Sequence, residues 1–190
     1  INEESAQYLK NIDLSVSRLD SLVKDILETS KLEGNRLHFE IISIDPQVVI
    51  QESIREIESH AIQKGLAIEF SQGSLPKIKA DKEKMKQILI NLLSKAIKYT
   101  AKGKIEVLTE VKHKELLITV ADAGLGISSE DMANLFRRFY QIKNESSKSN
   151  LGSGLGLWIA RELSRKMNGN ITVESIKGVG SHFTLHLPLA

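Results

Sequence analysis

The order of helical and strand-like stretches in this 190-residue chain predicts an α+β fold, a two-layer α/β sandwich with one long helix in front. Its mixed, mostly antiparallel sheet would lie with one face under three helices. Three observations lead there. Strand-like runs come as hairpin-like neighbours rather than as repeated βαβ units. Separate stretches of helical spacing lie among them, with no internal repeat or low-complexity tract. The length, with 41% apolar residues, suffices for one mid-sized core plus an appended element rather than two full domains.

The first helix runs from Glu3 to Leu32. Leu9, Ile12, Val16, Leu19, Val23 and Ile26 step along it by three and four, a narrow stripe of the kind that packs in helical bundles. Gly34-Asn35 supplies its C-terminal cap. The stripe serves either a dimeric seam or a local core. Leu37-His38-Phe39-Glu40-Ile41 alternates like a strand, and Asp45-Pro46 opens a second helix with Val49, Ile50, Ile54, Ile57 and Ala61 inward. Lys64-Gly65 closes it, and Leu66 to Phe70 alternates as a strand. Asp81 caps a third helix through Met85, Ile88, Leu89, Leu92, Leu93 and Ile97.

Lys104 to Lys112 and Glu115 to Asp122 form a hairpin about a short polar turn at His113-Lys114. A Gly-rich turn over Ala123 to Ile127 and a short helix from Ser129 to about Arg138 follow. The Ser, Asn and Lys content of Gln141 to Gly152 predicts a mobile segment. Gly154 to Met167 has helical spacing, Asn168-Gly169 ends it, and Ile171 to Ser175 and Ser181 to Leu187 close the chain as strands.

Charge excludes little: 26% of residues are charged, and a net charge of +2 calls for neither a nucleic acid nor a membrane surface. The absence of cysteine rules out disulfides, thiolate metal sites and thiol nucleophiles, and fits a reducing, cytoplasmic setting. No signal-peptide pattern and no apolar run near eighteen residues is present, so any sensor or membrane anchor is expected upstream of Ile1.

Three segments have the character of a nucleotide site. In Asp122-Ala123-Gly124-Leu125-Gly126-Ile127 a carboxylate ends a strand and two glycines follow at alternate positions. Asp122 is suited to accept hydrogen bonds from an adenine amino group, with the glycines admitting the base; a tight turn with a capping Asp gives the same pattern. In Gly152-Ser153-Gly154-Leu155-Gly156-Leu157 glycines at every second position open a helix, which makes either a phosphate cradle or a flexible hinge. The spacing is not the Rossmann fingerprint. In Asn91 to Thr100, the residues Asn91, Lys95 and Lys98 share one helical face, turned toward a ligand or toward solvent.

Taken together and in this order, these segments resemble the histidine-kinase branch of the GHKL superfamily, which also contains gyrase, a heat-shock chaperone and mismatch-repair ATPases. Asn91 to Thr100 is similar to its N box, Asp122 to Ile127 to its G1 box, and Leu135-Phe136-Arg137-Arg138-Phe139-Tyr140 to its F box. Gly152 to Leu157 is similar to the G2 box, and Gly178-Val179-Gly180-Ser181 to the last glycine box. Tyr8 to Glu33 resembles the second helix of the dimerisation and phosphotransfer domain, so the implied division is 1–34 for that helix and 35–190 for the catalytic domain with the Bergerat ATP-binding fold.

The resemblance implies that Asp122 binds the adenine amino group, that Gly124, Gly126 and Ile127 line the base, and that Gly152, Gly154, Leu155 and Gly156 accommodate the phosphates of ATP. A lid over Gln141 to Leu151 would bring Lys143 or Lys148 to the terminal phosphate, with Phe136 and Phe139 as its anchors or as core residues. Lys98 and Tyr99 would border the nucleotide, and Asn91 would be a ligand of Mg²⁺. The implied reaction moves the γ-phosphoryl group of ATP to a histidine outside this chain, for relay to a response regulator. The partners would be the kinase's own phosphoacceptor helix, a response regulator and, in the full protein, a second copy; no nucleic acid is expected.

Position 95 departs from the family, which normally has Asn there as a ligand of nucleotide-bound Mg²⁺. Lys95 offers three donors, no acceptor and a like charge. Either it meets the phosphates directly as a partial substitute for Mg²⁺, or it turns to solvent and leaves a weak site, or it marks a degenerate or deliberately mutated kinase, with a pseudokinase or regulatory module that keeps the fold for protein interaction as the rival reading. Asn91 stands where hydrolysing relatives carry a catalytic Glu, and an amide is no general base. None of His38, His60, His113, His182 and His186 has the sequence context of the family's acceptor.

Overall fold

A computed structural model of the chain describes residues 2–71, 73–142 and 153–190. Helix α1 spans Glu3–Glu33, capped by the Asn2 side chain on the Ser5 N–H and stopped at Gly34, with Asn35 left-handed at φ 48°. Strand β1 (Ile42–Ile44) precedes α2 (Pro46–Gln63), whose cap Asp45 accepts from the Gln47 N–H. Strands β2 (Ala67–Phe70) and β3 (Ile78–Ala80) lead to α3 (Lys82–Tyr99). Then come β4 (Lys104–Lys112), β5 (Glu115–Asp122), the short α4 (Ser129–Met132), α5 (Gly156–Lys166), β6 (Asn170–Ile176) and β7 (Gly180–Pro188).

The main sheet has the order β2-β4-β5-β7-β6, with β2 parallel to β4 and the other pairs antiparallel. The expected mixed sheet and its three covering helices are therefore present. Ile105, Val107, Leu116, Ile118, Val120, Phe183, Leu185 and Leu187 point inward from the strands. They meet Ile50 and Ile57 of α2, Ile88, Leu89, Leu92 and Leu93 of α3, and Ile159 and Leu163 of α5 in one continuous core. The opposite face carries polar pairs such as Thr119 and Thr184, whose hydroxyls lie 2.9 Å apart.

Both ends of α3 are fixed by charged side chains. At its start Asp81, buried, accepts from the Lys84 N–H at 3.0 Å with one oxygen and from the Glu40 N–H at 2.9 Å with the other. At its end the Lys64 ammonium donates to the carbonyls of Ile97, Lys98 and Thr100 at 2.6, 2.7 and 2.8 Å. A cation there satisfies orphan acceptors and complements the negative end of the helix. The expected site residues Lys98 and Tyr99 sit on this capped last turn, and Lys95 just before it.

Four local expectations are corrected. Residues 37–41 form no strand, because Glu40 gives its N–H to the Asp81 carboxylate; the strand is Ile42–Ile44, paired with β3. That pairing makes a second, two-stranded sheet that periodicity had not indicated. The helix expected from Ser129 to about Arg138 stops at Met132, and the chain turns so that the Tyr140 hydroxyl returns to donate to Asp131 at 2.8 Å. The helix expected from Gly154 begins at Gly156, since Gly154 is left-handed at φ 72°.

Candidate functional site

Asp122 is the last residue of central strand β5, opposite Ile105 on β4 and Ser181 on β7. One carboxylate oxygen accepts the Gly124 N–H at 2.9 Å. Burial pushes this carboxyl above its ordinary range, against the pull of the Gly124 and Ser181 N–H groups and of His182. The carboxylate faces a cavity of about 740 Å³, open mouth included, whose walls include Tyr99, Leu125, Gly126, Ile127, Leu135, Leu157 and Phe183. An apolar slot with one deep acceptor suits a flat ring that carries an exocyclic amino group.

The turn after Asp122 is shaped by contact with the β6–β7 turn. Gly126 has φ 61°, and a Cβ there would come within 2.0 Å of the Ile176 carbonyl oxygen. Only glycine fits. The Ser175 hydroxyl accepts the Ile127 N–H and donates to the Gly180 carbonyl, each at 2.8 Å, which ties the two turns together.

Outside the slot lies a second cleft of about 1210 Å³, open solvent at its mouth included, between α1, α3 and the start of α5. Asn91, Ser94, Lys95 and Lys98 reach it from α3, Ser153, Gly154 and Gly156 from the glycine segment, and Asp25 and Glu28 from α1. No side chain caps α5, so the first N–H groups of that helix are left for an anion. Asn91 donates its amide N–H to the Gly156 carbonyl, and a Cβ on Gly156 would stand 2.8 Å from Asn91 Oδ1. That glycine lets α3 and α5 meet at the site.

Lys95 borders both spaces. Loss of hydration, then the neighbouring Lys98 charge, pulls its ammonium down to about 8, while Asp25 across the cleft acts in the opposite sense. The Asp25 carboxylate itself accepts a hydrogen bond from the Ser153 hydroxyl. The Lys98 ammonium lies 5.2 Å from the centre of the Tyr99 ring.

The expected residues thus separate into groups. Asp122, Gly126, Ile127, Lys95, Tyr99 and Gly154 surround the slot, and Asn91, Lys95, Lys98, Tyr99, Gly154 and Gly156 the outer cleft. Gly124 forms the turn through its N–H, and the Leu155 side chain is fully buried in the core. Phe136 packs on the core beneath the Arg161 guanidinium at 4.7 Å, whereas Phe139 is exposed. Lys143, Lys148 and Gly152, with most of the expected lid, lie outside the described residues. Sequence reasoning missed Tyr140, Gln141, Leu157 and Phe183 as walls of the slot, Ser175 as the clasp between turns, and Asp25 in the cleft. The first four adjoin or alternate with motif residues, which was a usable signal; Ser175 and Asp25 had none.

The donor set does not suit a divalent cation. Mg²⁺ on a nucleotide takes most of its ligands from phosphates and water and needs one or two protein oxygens, and here Asn91 can offer one amide oxygen while Lys95 offers none and brings a like charge. No histidine lines either space: His38, His60, His113 and His182 are exposed, His182 reaching Asp122 only through its charge, and His186 pairs with Thr172 at 2.9 Å.

Residues 80–190 match the model of the family described as histidine kinase-, DNA gyrase B-, and HSP90-like ATPase. The chain is 33% identical to the non-motile and phage-resistance protein of Caulobacter vibrioides over 96% of its length and 22% of that relative's. It is 36% identical to sensor protein GacS of Pseudomonas syringae pv. syringae over 96% of its length and 21% of that protein's. It therefore spans about a fifth of the length of these curated relatives. Among solved structures, full-length ShkA in complex with AMPPNP superposes with a TM-score of 0.84 at 27% identity, covering 100% of this chain and 40% of that one. Histidine kinase ThkA in complex with response regulator TrrA gives 0.77 at 26% identity, covering 100% and 53%.

Proposed function

The chain belongs to the histidine kinase-, DNA gyrase B- and HSP90-like ATPase family, and from that premise we propose that it is the ATP-binding catalytic part of a sensor histidine kinase. The observation that carries the reading is the Asp122 carboxylate at the floor of an apolar slot that opens beside the uncapped start of α5. Adenine stacks between the walls of the slot with its amino group on Asp122. The phosphates run outward past Gly154 and Gly156 to the helix N-terminus, beneath Lys95 and Lys98. The AMPPNP bound to ShkA supports this choice of ligand.

The γ-phosphoryl group then passes to an imidazole nitrogen supplied by a helix outside these residues. The bond to the bridging oxygen breaks, a P–N bond forms, ADP leaves, and the imidazole gives up the proton on its other nitrogen to solvent or to a base on the acceptor helix. Positioning and charge do most of that work, and since ADP leaves as an anion and the imidazole proton departs on the acceptor's side, these residues need supply neither acid nor base. Asn91, held on the Gly156 carbonyl, fixes the glycine segment against α3 and activates no water, which favours transfer over hydrolysis. A Mg²⁺ ion does not fit the donor set, and no step is assigned to it.

The division into helix 1–34 and catalytic body 35–190, the homodimer through α1, and relay to a response regulator all belong to this proposal. The response regulator bound to ThkA supports the last of these. The absence of cysteine supports a cytoplasmic setting, and no helix among the described residues is long and apolar enough to cross a membrane. The test supplies a separately expressed acceptor helix together with labelled ATP. Phosphohistidine should form with the parent chain and fall at least about tenfold with Asp122→Asn, the scale of one charge-assisted hydrogen bond. Equal transfer by both proteins would remove Asp122 from the adenine site.

A further inference from the structure

We propose that the outer cleft holds the polyphosphate of its nucleotide without a divalent cation, the Lys95 ammonium supplying the positive charge that a metal ion would bring. The inference rests on the nucleotide reading above and goes beyond it to the ionic form of the ligand. Its ground is placement. Lys95 lines the slot that faces Asp122 and also the cleft in front of α5, so its side chain stands where a nucleotide must pass from base to phosphates. Gly154 borders the same two spaces from the opposite side. A divalent ion bound here would sit beside an ammonium that offers no lone pair, and the two charges would repel in a cleft partly closed to water.

The remaining charges are arranged for an anion with several negative oxygens. Lys98 lies one turn beyond Lys95 on the same face of α3, and the open N–H groups of α5 lie across the cleft. Facing them from α1 are two carboxylates, Asp25 and Glu28. Glu28 is engaged by the Gln87 amide and lies 3.8 Å from the Lys84 ammonium. Asp25, on the Ser153 hydroxyl, is the carboxylate whose charge acts on Lys95 across the cleft, and it offsets the cost of that ammonium only in part. A bound polyphosphate would supply the counter-charge that Asp25 gives only in part, while an added Mg²⁺ would cancel much of the ligand's charge and weaken its hold on Lys95.

The test is calorimetric titration of the chain with ADP and with AMPPNP, in EDTA and in excess Mg²⁺, beside Lys95→Asn and Lys95→Arg. Expected for the parent is binding in EDTA that Mg²⁺ does not improve, and that Mg²⁺ weakens by a few-fold. Lys95→Asn should lose at least about tenfold in EDTA, and Lys95→Arg, which keeps the charge, should lose less. Binding by the parent only in Mg²⁺ overturns the inference while leaving the nucleotide site standing. So does an unresponsive parent beside a Lys95→Asn variant that binds in Mg²⁺. No binding by any of the three proteins in either condition overturns the nucleotide reading itself. The parent alone decides the metal question if the asparagine variant does not fold.

Discussion

Lys95 is placed where its own ionisation costs the unliganded protein. Its pKa falls from the ordinary lysine value to about 8 on folding. Below pH 8 both folded and unfolded chains carry the proton, and the folded state bears the whole penalty of a poorly hydrated charge. Between pH 8 and about 10.5 the unfolded chain binds more protons, so this group raises stability as pH increases. Urea denaturation of the parent and of Lys95→Met should show the variant more stable at pH 7 by roughly 1–3 kcal/mol. The gap should close by about pH 10, and a gap independent of pH would mean that Lys95 is well hydrated. Asp122 and the glycines around it were legible in the sequence because their chemistry is in the residue type itself. Asp25 was not, since a carboxylate on a helix acquires meaning only from what lies across the cleft, here Ser153, 128 positions away.

At the level of elements, the two turns that meet at the apolar slot depend on backbones too close for any side chain. Gly65 gives an internal comparison, because it has φ 71° and open space where its Cβ would be, whereas Gly126 has φ 61° and a carbonyl oxygen at 2.0 Å. Gly65→Ala should therefore cost only the left-handed backbone penalty of about 1–2 kcal/mol. Gly126→Ala adds a steric clash that only separation of the two turns relieves, with a total of at least about 3 kcal/mol and loss of nucleotide binding. Thermal unfolding ranks the two, and equal costs would refute the close approach. The β4–β5 hairpin was readable to the residue, since two alternating runs meet at His113-Lys114, both left-handed as a tight hairpin turn requires. Strands β1 and β3 were not. Each is three residues long, too short for a period, and each exists because the other, nearly forty positions away, completes its hydrogen bonds.

On the scale of the whole molecule, α1 has two faces with different obligations. One is committed to the rest of the fold: Leu32 is buried in its core, Glu28 meets Gln87, Glu33 meets Arg138, and just beyond the helix Asn35 accepts from Lys166 at 2.6 Å. The other displays Leu9, Ile12, Val16, Leu19, Val23 and Ile26, each between 46% and 62% exposed. A stripe of aliphatic side chains in water along a helix of about 46 Å is a surface that a second copy can cover in register. Sedimentation should show concentration-dependent self-association of the parent, and the melting temperature should rise with protein concentration, because a partner that binds only the folded state stabilises it. Val16→Glu with Leu19→Glu places two charges in the seam and should leave a monomer whose nucleotide affinity is unchanged, since neither residue borders the cleft or the slot. A parent that stays monomeric across the concentration range would sink the dimeric seam. A double variant that loses nucleotide binding as well would show that the exposed face of α1 and the site behind it are coupled, through the few contacts by which Asp25, Glu28 and Glu33 reach the catalytic body.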